Sequence, residues 1–161
     1  MVSRLTGLIM LFVLMTGSAS VLRAENTMPH SGTQVIETGK PFLPYVEALK
    51  ASITDNSFGI IGLACANCAI KAKFGEEIPG NRVFLIFRPD FARRMLAAST
   101  AAGIEAPIRI YVTEAADGTA TVTHRLPSHV FGAYEVPALT DMGGELDMLV
   151  AKVLADAAAG S

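Results

Sequence analysis

Hydrophobic and polar positions alternate along this chain with two different periods. Apolar residues recur every three to four positions in three segments, which predicts amphipathic helices at residues 41–55, 89–100 and 139–157. A short alanine-rich helix is predicted at residues 64–72. Shorter apolar or alternating runs predict five strands, at residues 34–38, 57–63, 82–88, 107–114 and 119–126. The combined pattern predicts a single-domain α+β fold, with helices packed on one face of a mainly antiparallel sheet.

The pattern also predicts the burial or conformation of particular residues and segments. Four residues lie on the apolar stripes of the predicted helices and are expected in the core: Met95, Leu96, Met142 and Met148. The almost wholly apolar run at residues 57–63 predicts a buried strand. Residues 127–137 are expected to form an irregular connection. The Gly143-Gly144 pair either weakens the start of the last helix or marks a close packing contact.

The register of the hairpin formed by the last two strands follows from the sequence. A two-residue turn would pair Ile110 with Arg125 and mix apolar with polar positions on each face. A three-residue loop at residues 116–118 instead pairs Ile110 with His124 and collects the apolar residues on one face. This register predicts that His124 lies at the apolar face and that Arg109 lies opposite Arg125 on the other face.

The N-terminal segment, residues 1–24, has the three-part layout of a secretory signal. Arg4 provides a positive charge, Leu5–Met15 is apolar, and small residues follow. The apolar stretch is too short for a comfortable membrane span, which needs about 20 residues. We therefore expect cleavage, a flexible lead-in at residues 25–33, and a mature domain at residues 34–161 that is periplasmic or secreted. An uncleaved anchor is the alternative.

Composition argues against several classes of function. The chain of 161 residues has 51% hydrophobic and 17% charged residues and a net charge of −2. Removal of residues 1–24 leaves 11 basic and 15 acidic residues, so the mature protein has a net charge of −4. This weakly acidic domain lacks the basic footprint of a nucleic-acid-binding protein and the basic amphipathic helix of a membrane-surface protein. No second run of membrane-spanning length follows the signal segment.

Cys65 and Cys68, in the sequence Cys-Ala-Asn-Cys, are the only cysteines of the chain. In an oxidising compartment such a pair usually forms a disulfide. Because the ring is small, stapling the unfolded chain is a weak reason to keep this bond. If Cys65 lies at a helix N-terminus, the helix dipole would favour redox exchange. Covalent c-type haem is disfavoured because Ala69 stands where that motif has histidine. A thioredoxin-like oxidoreductase is disfavoured because the predicted order of elements does not fit that fold.

Metal binding is a third alternative for the cysteine pair. Softer donors elsewhere in the chain, among them His124, His129 and Met95, would together with the cysteines suit Cu(I) in an exported protein. A zinc site would require a second pair of ligands at fixed spacing, which the sequence lacks. The pair therefore stays open between a structural disulfide, thiol–disulfide exchange and metal ligation, and no specific cofactor is predicted.

A second group of candidate residues is built around arginines. Arg88 ends a predicted strand, and Arg109 and Arg125 face each other across the hairpin. Like charges at opposite positions destabilise a sheet unless another group bridges them, and arginine side chains suit carboxylates and other small anions. The candidate ligand-binding residues are therefore Arg88, Arg109, Tyr111, Glu114, His124 and Arg125. The alternatives are a solvated face with local ion pairs and, for His124, a buried histidine with satisfied hydrogen bonds.

Four stretches of the sequence form a recognisable set: Arg88–Leu96 (RPDFARRML), Ala106–Glu114 (APIRIYVTE), Asp117–Ala120 (DGTA) and Pro127-Ser128. Together they resemble the domain of unknown function 302 (DUF302) family, over residues 38–130 and more loosely over the final helix. The resemblance implies a small α+β protein with helices on an antiparallel sheet, often paired as a homodimer, and no particular activity. The family has no defining Cys-X-X-Cys, so the cysteine pair looks like a feature of an exported subgroup.

The sequence leaves three hypotheses of function. A periplasmic small-ligand, metal-binding or accessory protein is favoured, because an export signal and one thiol pair occur without catalytic signatures. The first alternative is a thiol–disulfide or sulfur-handling protein that uses Cys65 and Cys68, and the second is a structural homodimer without chemistry. Expected partners are a second copy, a small anionic ligand or a periplasmic protein. No HExxH motif, phosphate loop or dinucleotide fingerprint is present, which disfavours an enzyme.

Overall fold

The computed structural model describes residues 30–160, in which the strands form one five-stranded sheet. The strands are β1 (Thr33–Pro41), β2 (Gly59–Ala64), β3 (Asn81–Phe87), β4 (Ile108–Glu114) and β5 (Thr119–Arg125). They lie side by side in the order β1-β5-β4-β3-β2, and every neighbouring pair is antiparallel. The predicted signal segment lies outside the described residues, as does the predicted lead-in up to residue 29.

Helices pack against one face of this sheet. The helices are α1 (Phe42–Asp55), α2 (Ala66–Phe74), α3 (Pro89–Ala98), a 3-10 helix (Thr100–Glu105), α4 (Pro127–Gly132) and α5 (Pro137–Ala159). The α2 helix is the exception to this packing, because none of its residues is buried. The α1, α3 and α4 helices all pack on the long helix α5. None of the helices in residues 30–160 is both long and apolar enough to cross a membrane. The predicted α+β class, with helices on an antiparallel sheet, is confirmed.

The core lies between the inner face of the sheet and the apolar stripes of α1 and α5. Phe84, Ile110 and Val122 are fully buried strand residues that alternate with more exposed neighbours, as the two-residue period of a strand requires. The Ser52 hydroxyl of α1 donates a hydrogen bond to the Val153 carbonyl of α5 at 2.7 Å. This buried bond satisfies the hydroxyl and fixes α1 against α5.

The hairpin of β4 and β5 has the register that the sequence predicts. Ile110 pairs with His124. The loop at residues 116–118 is closed by hydrogen bonds from the Ala115 N–H to the Thr119 carbonyl at 2.8 Å and from the Gly118 N–H to the Ala115 carbonyl at 2.9 Å. Gly118 has a φ of 81°, in the left-handed region that glycine adopts without strain. The three-residue loop is therefore confirmed.

The strand β2 differs from the buried strand predicted at residues 57–63. It lies at the edge of the sheet, and most of its residues are exposed. A short apolar run indicates a strand but contains no information about how many neighbours that strand has. The prediction of the element was right, and the prediction of its burial was wrong.

Two of the four core residues predicted on the helices are exposed. Met95 and Met142 are buried as expected, whereas Leu96 is 49% exposed and Met148 is 69% exposed. Leu96 directly follows Met95, so about 100° of helix rotation turns it away from the face that Met95 buries. The apolar stripe predicted on each of these helices is therefore wider than the helix face that is buried in the core.

The helix α4 occupies part of the segment predicted to be irregular. Pro127 stands at its first position, where the missing N–H removes no helical hydrogen bond. Gly143 of α5 faces this helix: a Cβ atom on Gly143 would lie 2.8 Å from the Cα atom of Ser128. The Ser128 N–H also donates to the Asp147 carboxylate at 3.0 Å. Gly143 thus marks a close packing contact between α4 and α5, one of the two alternatives open from the sequence.

Candidate functional site

The two cysteines form a disulfide at the start of α2. Cys65 immediately follows β2 and is the N-cap of α2, and Cys68 lies in the first turn of that helix. Their Cα atoms are 5.3 Å apart. The backbone N–H of Cys68 donates to the Sγ atom of Cys65 at 3.2 Å, so this sulfur stands where a serine or aspartate oxygen stands in an ordinary N-cap. Cys65 therefore meets the condition, a helix N-terminus, under which redox exchange is favoured.

The two cysteines differ in exposure. Cys68 is exposed, whereas Cys65 is half-buried. No residue of α2 is buried. The Ala66 N–H, at the first position of the helix, donates to Asn81 Oδ1 at 3.1 Å and holds the helix start against β3. An approaching thiol therefore reaches Cys68 more readily than Cys65.

An amide and a guanidinium lie against the disulfide. The Oδ1 atom of Asn67 is 3.1 Å from the Sγ atom of Cys65. The same oxygen accepts hydrogen bonds from Arg82 Nη1 at 2.6 Å and from the Asn81 N–H at 3.3 Å. Arg82 also donates to the Asn81 carbonyl at 2.6 Å, and its guanidinium lies over the Phe42 ring at 5.6 Å from the centroid. These contacts hold a positive charge beside Cys65.

This arrangement favours a thiolate at Cys65 once the disulfide is reduced. The helix N-terminus, the Cys68 N–H and the Arg82 charge all favour a negatively charged sulfur over a neutral one. The Asn67 oxygen has the opposite effect, because it can accept a hydrogen bond from the protonated thiol. Since that oxygen already accepts from Arg82, its opposing effect is reduced.

Three residues of this site were not identified from the sequence: Asn67, Asn81 and Arg82. Asn67 could have been identified from the sequence by its position inside the Cys-X-X-Cys motif. Asn81 and Arg82 follow it by 14 and 15 residues, and their approach to the cysteines depends on the antiparallel pairing of β2 with β3.

The side chains considered as metal ligands are dispersed. Within residues 30–160, no three side chains of His, Cys, Asp or Glu are grouped so that they could hold a metal ion. Met95, Met142 and His124 are buried in the interior, and His129 lies exposed on α4. The structure therefore brings no third ligand of those four types to Cys65 and Cys68.

Arg109 and Arg125 line one cleft, at adjacent positions across β4 and β5. The cleft has a volume of about 50 Å³ and a floor of apolar side chains from β4 and α4. It continues into a shallower depression of about 320 Å³. Glu105 lines both and accepts a hydrogen bond from the Tyr134 hydroxyl at 3.0 Å. Within residues 30–160 neither arginine forms an ion pair, so the cleft presents two positive charges and the Glu105 carboxylate to a ligand.

Two other predicted ligand residues have local partners away from this cleft. The guanidinium of Arg88 binds the Asp90 carboxylate at 2.7 and 3.1 Å and packs over the Phe91 ring at 4.9 Å. The hydrogen bond from Arg88 lowers the pKa of the Asp90 carboxyl. Glu114 accepts a hydrogen bond from the Gly80 N–H at 2.7 Å. Arg88 and Glu114 therefore stabilise the start of α3 and the start of β3.

His124 and Tyr111 lie on opposite faces of the sheet. His124 is buried, with Nε2 at 3.1 Å from Gln34 Oε1 and Nδ1 at 3.2 Å from the Arg125 carbonyl. Burial lowers the pKa of His124, against the smaller effects of that carbonyl and of the Asp147 charge, which raise it. The imidazole links β1 to β5 through its contact with Gln34. Tyr111 lies exposed on the outer face and does not line the cleft formed by Arg109 and Arg125.

Comparison with known proteins gives a family match over most of the chain and a solved structure with the same fold. The chain matches the family described as "Domain of unknown function DUF302" over residues 34–157. No curated protein matches it significantly. A solved structure, the uncharacterized conserved protein DUF302 from Bacillus stearothermophilus, is similar with a TM-score of 0.70 and 17% identity, over 79% of this chain and 98% of that chain. At this identity the likeness shows the fold alone. Since the family match covers most of the chain, the protein belongs to the DUF302 family.

Proposed function

We propose that this protein is an exported thiol–disulfide exchange protein that uses Cys65 and Cys68. The proposal rests on the position of the disulfide, an accessible sulfur pair at a helix N-terminus beside an arginine. These are the surroundings in which a thiolate becomes reactive. Export, expected from residues 1–24, would bring the pair into a compartment where disulfides form and exchange.

A purely structural bond accounts for this geometry less well. The disulfide joins the N-cap and the first turn of a single helix, so it links no second element to that helix. Loop-closure entropy assigns about 2 kcal/mol to so short a ring, against about 3 kcal/mol for a 15-residue loop. Because no residue of α2 is buried, fixing its first turn adds nothing to the core.

The unequal exposure of Cys68 and Cys65 sets the order of exchange. A partner thiolate attacks the Sγ atom of the exposed residue Cys68, breaks its bond to Cys65 and forms a mixed disulfide. The electron pair leaves on Cys65, where the Cys68 N–H and the Arg82 charge stabilise the thiolate. A second thiolate of the partner then attacks the partner's own sulfur and releases Cys68. The partner dithiol thereby loses two electrons and two protons to the cysteine pair and becomes a disulfide.

Arg82 is expected to raise the reduction potential of the pair. Arg82→Gln removes the positive charge beside Cys65 and destabilises the thiolate, so the potential becomes more negative by about 30 mV for each 1.4 kcal/mol lost. We expect a shift of about 30 mV, because an opposite charge within about 6 Å stabilises an ionised group by about 1.4 kcal/mol or more. Equilibration in glutathione redox buffers, followed by alkylation of free thiols, measures the potential.

Two variants control this measurement. Arg82→Lys keeps the charge and should retain most of the wild-type potential. Arg93→Gln removes an exposed charge from α3 and should leave the potential unchanged. A wild-type potential far below about −300 mV, together with an absence of thiol reactivity, would refute the exchange function.

Binding of a small carboxylate is a second candidate function. The observation that favours it is a cleft of about 50 Å³ that is lined by Arg109 and Arg125 together with Glu105 and apolar side chains. Arginine binds carboxylates through charge-assisted hydrogen bonds. We expect saturable binding of acetate or propionate in calorimetry, weakened about tenfold or more by Arg125→Gln, since a hydrogen bond to a charged group is worth about 1.5–3 kcal/mol. Equal affinity for wild type and Arg125→Gln would show that these anions do not bind in the cleft.

A further inference from the structure

The two edge strands of the sheet are protected to different degrees. β1 carries Glu37, Lys40 and Pro41, and charges and proline keep an edge from pairing with another chain. β2 has the sequence GIIGLA, with neither a charge nor a proline. A bulge interrupts its pairing with β3 at Ile61, and the pairing is regular from Gly62 to Ala64. Among the described residues no strand pairs with the free edge of β2.

In the sequence, exposed apolar residues are concentrated in the segment that contains the two cysteines. The segment 59–78 holds five of the twelve exposed large hydrophobic residues of the described chain: Ile60, Ile61, Leu63, Phe74 and Ile78. Ile61 is 59% exposed and Phe74 is 63% exposed. β2 ends at the residue before Cys65, and α2 begins at the residue after it. The open edge and its apolar side chains therefore lead directly to the sulfur pair.

We propose that the substrate of this disulfide is an extended segment of another exported protein, which pairs with the edge of β2 and presents a cysteine to Cys68. Strand addition provides main-chain hydrogen bonds without requiring one particular sequence, and side chains such as Ile61 and Leu63 supply apolar contacts. This inference rests on the exchange function proposed above. It names the substrate class as extended, cysteine-containing polypeptide, in preference to a small thiol.

A second copy of the chain fits this edge less well than such a substrate. Regular strand geometry extends only over Gly62–Ala64 next to the disulfide, so strand pairing along this edge would form a small interface. A stable dimer buries more than about 1,000 Å². Redox encounters are transient and use small interfaces. The chemistry at the end of β2 also requires a partner with a free thiol, and the two cysteines of a second copy are already joined to each other.

The test compares a peptide thiol with a small thiol as attacking groups. The oxidised, full-length exported protein is mixed with a peptide of alternating valine and threonine that contains one cysteine, or with 2-mercaptoethanol. Acid quenching and mass spectrometry then give the rate of mixed-disulfide formation at equal thiolate concentration. We expect the peptide to react about tenfold faster or more, equivalent to 1.4 kcal/mol. Ile61→Lys adds a charge to the edge and should remove this advantage without changing the rate with 2-mercaptoethanol.

Matched controls separate strand pairing from other effects. Ile104→Lys adds the same charge at a residue that is 81% exposed on the 3-10 helix, and it should keep the advantage of the peptide. Peptides N-methylated at alternate residues lose one of two sets of N–H donors. Since only one set faces a neighbouring strand, one methylated peptide should lose the advantage and the other should keep it.

Three results would overturn the proposal. The first is equal reaction of the two N-methylated peptides, and the second is equal behaviour of Ile61→Lys and Ile104→Lys. The third is a dimer in sedimentation experiments that Ile61→Lys dissociates, because a second copy would then cover β2. A wild-type protein that reacts with neither the peptide nor 2-mercaptoethanol would instead refute the exchange function itself, and this inference with it.

Discussion

Replacing Cys65 with serine is expected to abolish exchange and to leave Cys68 joined to its partner in a stable mixed disulfide. Cys68 is exposed, so its thiolate can still attack a partner disulfide. This is the reverse of the oxidation described above, and in this direction the group that resolves the mixed disulfide in the wild type is Cys65, whose Cα atom lies 5.3 Å away. Without that thiol the adduct accumulates, and the exchange rate falls to the uncatalysed rate.

Cys68→Ser is the matched variant, and we expect it to abolish exchange without trapping a partner. Its remaining thiol belongs to the half-buried residue Cys65. The sulfur of Cys65 accepts a hydrogen bond from the backbone N–H of residue 68, in the first turn of α2. Incubation of each reduced variant with oxidised glutathione, followed by mass spectrometry of the intact protein, measures the fraction of adduct. More adduct on Cys68→Ser than on Cys65→Ser would contradict the proposed order of attack and would assign the external sulfur to Cys65.

Features that depend on the local pattern could be predicted from the sequence. The alternation around Ile110 and His124 determined the hairpin register, because a slip of one residue would have moved every side chain to the opposite face. The same register brought Arg109 and Arg125 into one cleft. The position of Cys65 at the start of a helix was also open to local reasoning, since an alanine-rich stretch follows β2.

Features that depend on contacts between distant segments could not be predicted. Arg82 reaches Asn67 because β3 begins beside the end of β2, and nothing in either segment specifies which strands are neighbours. Arg88 and Glu114 had been grouped with the arginine pair by residue type. Each has instead a nearby partner, Asp90 or the Gly80 backbone, because the ends of β3 and β4 that carry them lie apart.

The edge position of β2 also could not be predicted from the sequence pattern, although the proposed binding of a substrate strand depends on it. A buried central strand and an unprotected edge strand have the same apolar composition. What distinguishes them here is the strand order, with β2 outermost and β1 on the opposite edge. In a sheet where β1 carries charges and a proline, the absence of such protection on β2 favours a role in binding.

Replacing Gly143 with valine is expected to destabilise the fold by about 2–3 kcal/mol, the upper part of the range for overpacking. An added Cβ would lie 2.8 Å from the Cα atom of Ser128 and 3.0 Å from the carbonyl oxygen of Pro127. Both are backbone atoms of α4, so no change of rotamer relieves the contact. The helices α4 and α5 would have to separate. Urea unfolding followed by circular dichroism measures the loss.

Gly144 provides the control, because it lies next to Gly143 in α5 and an added Cβ there meets nothing within 4 Å. Gly144→Val should leave stability unchanged or raise it by a few tenths of a kcal/mol, since valine has a somewhat higher helix propensity than glycine. The propensity change is the same at both positions, so the difference between the two variants isolates the packing of α4 on α5. Equal stability of Gly143→Val and Gly144→Val would mean that α4 does not pack closely on α5 in solution.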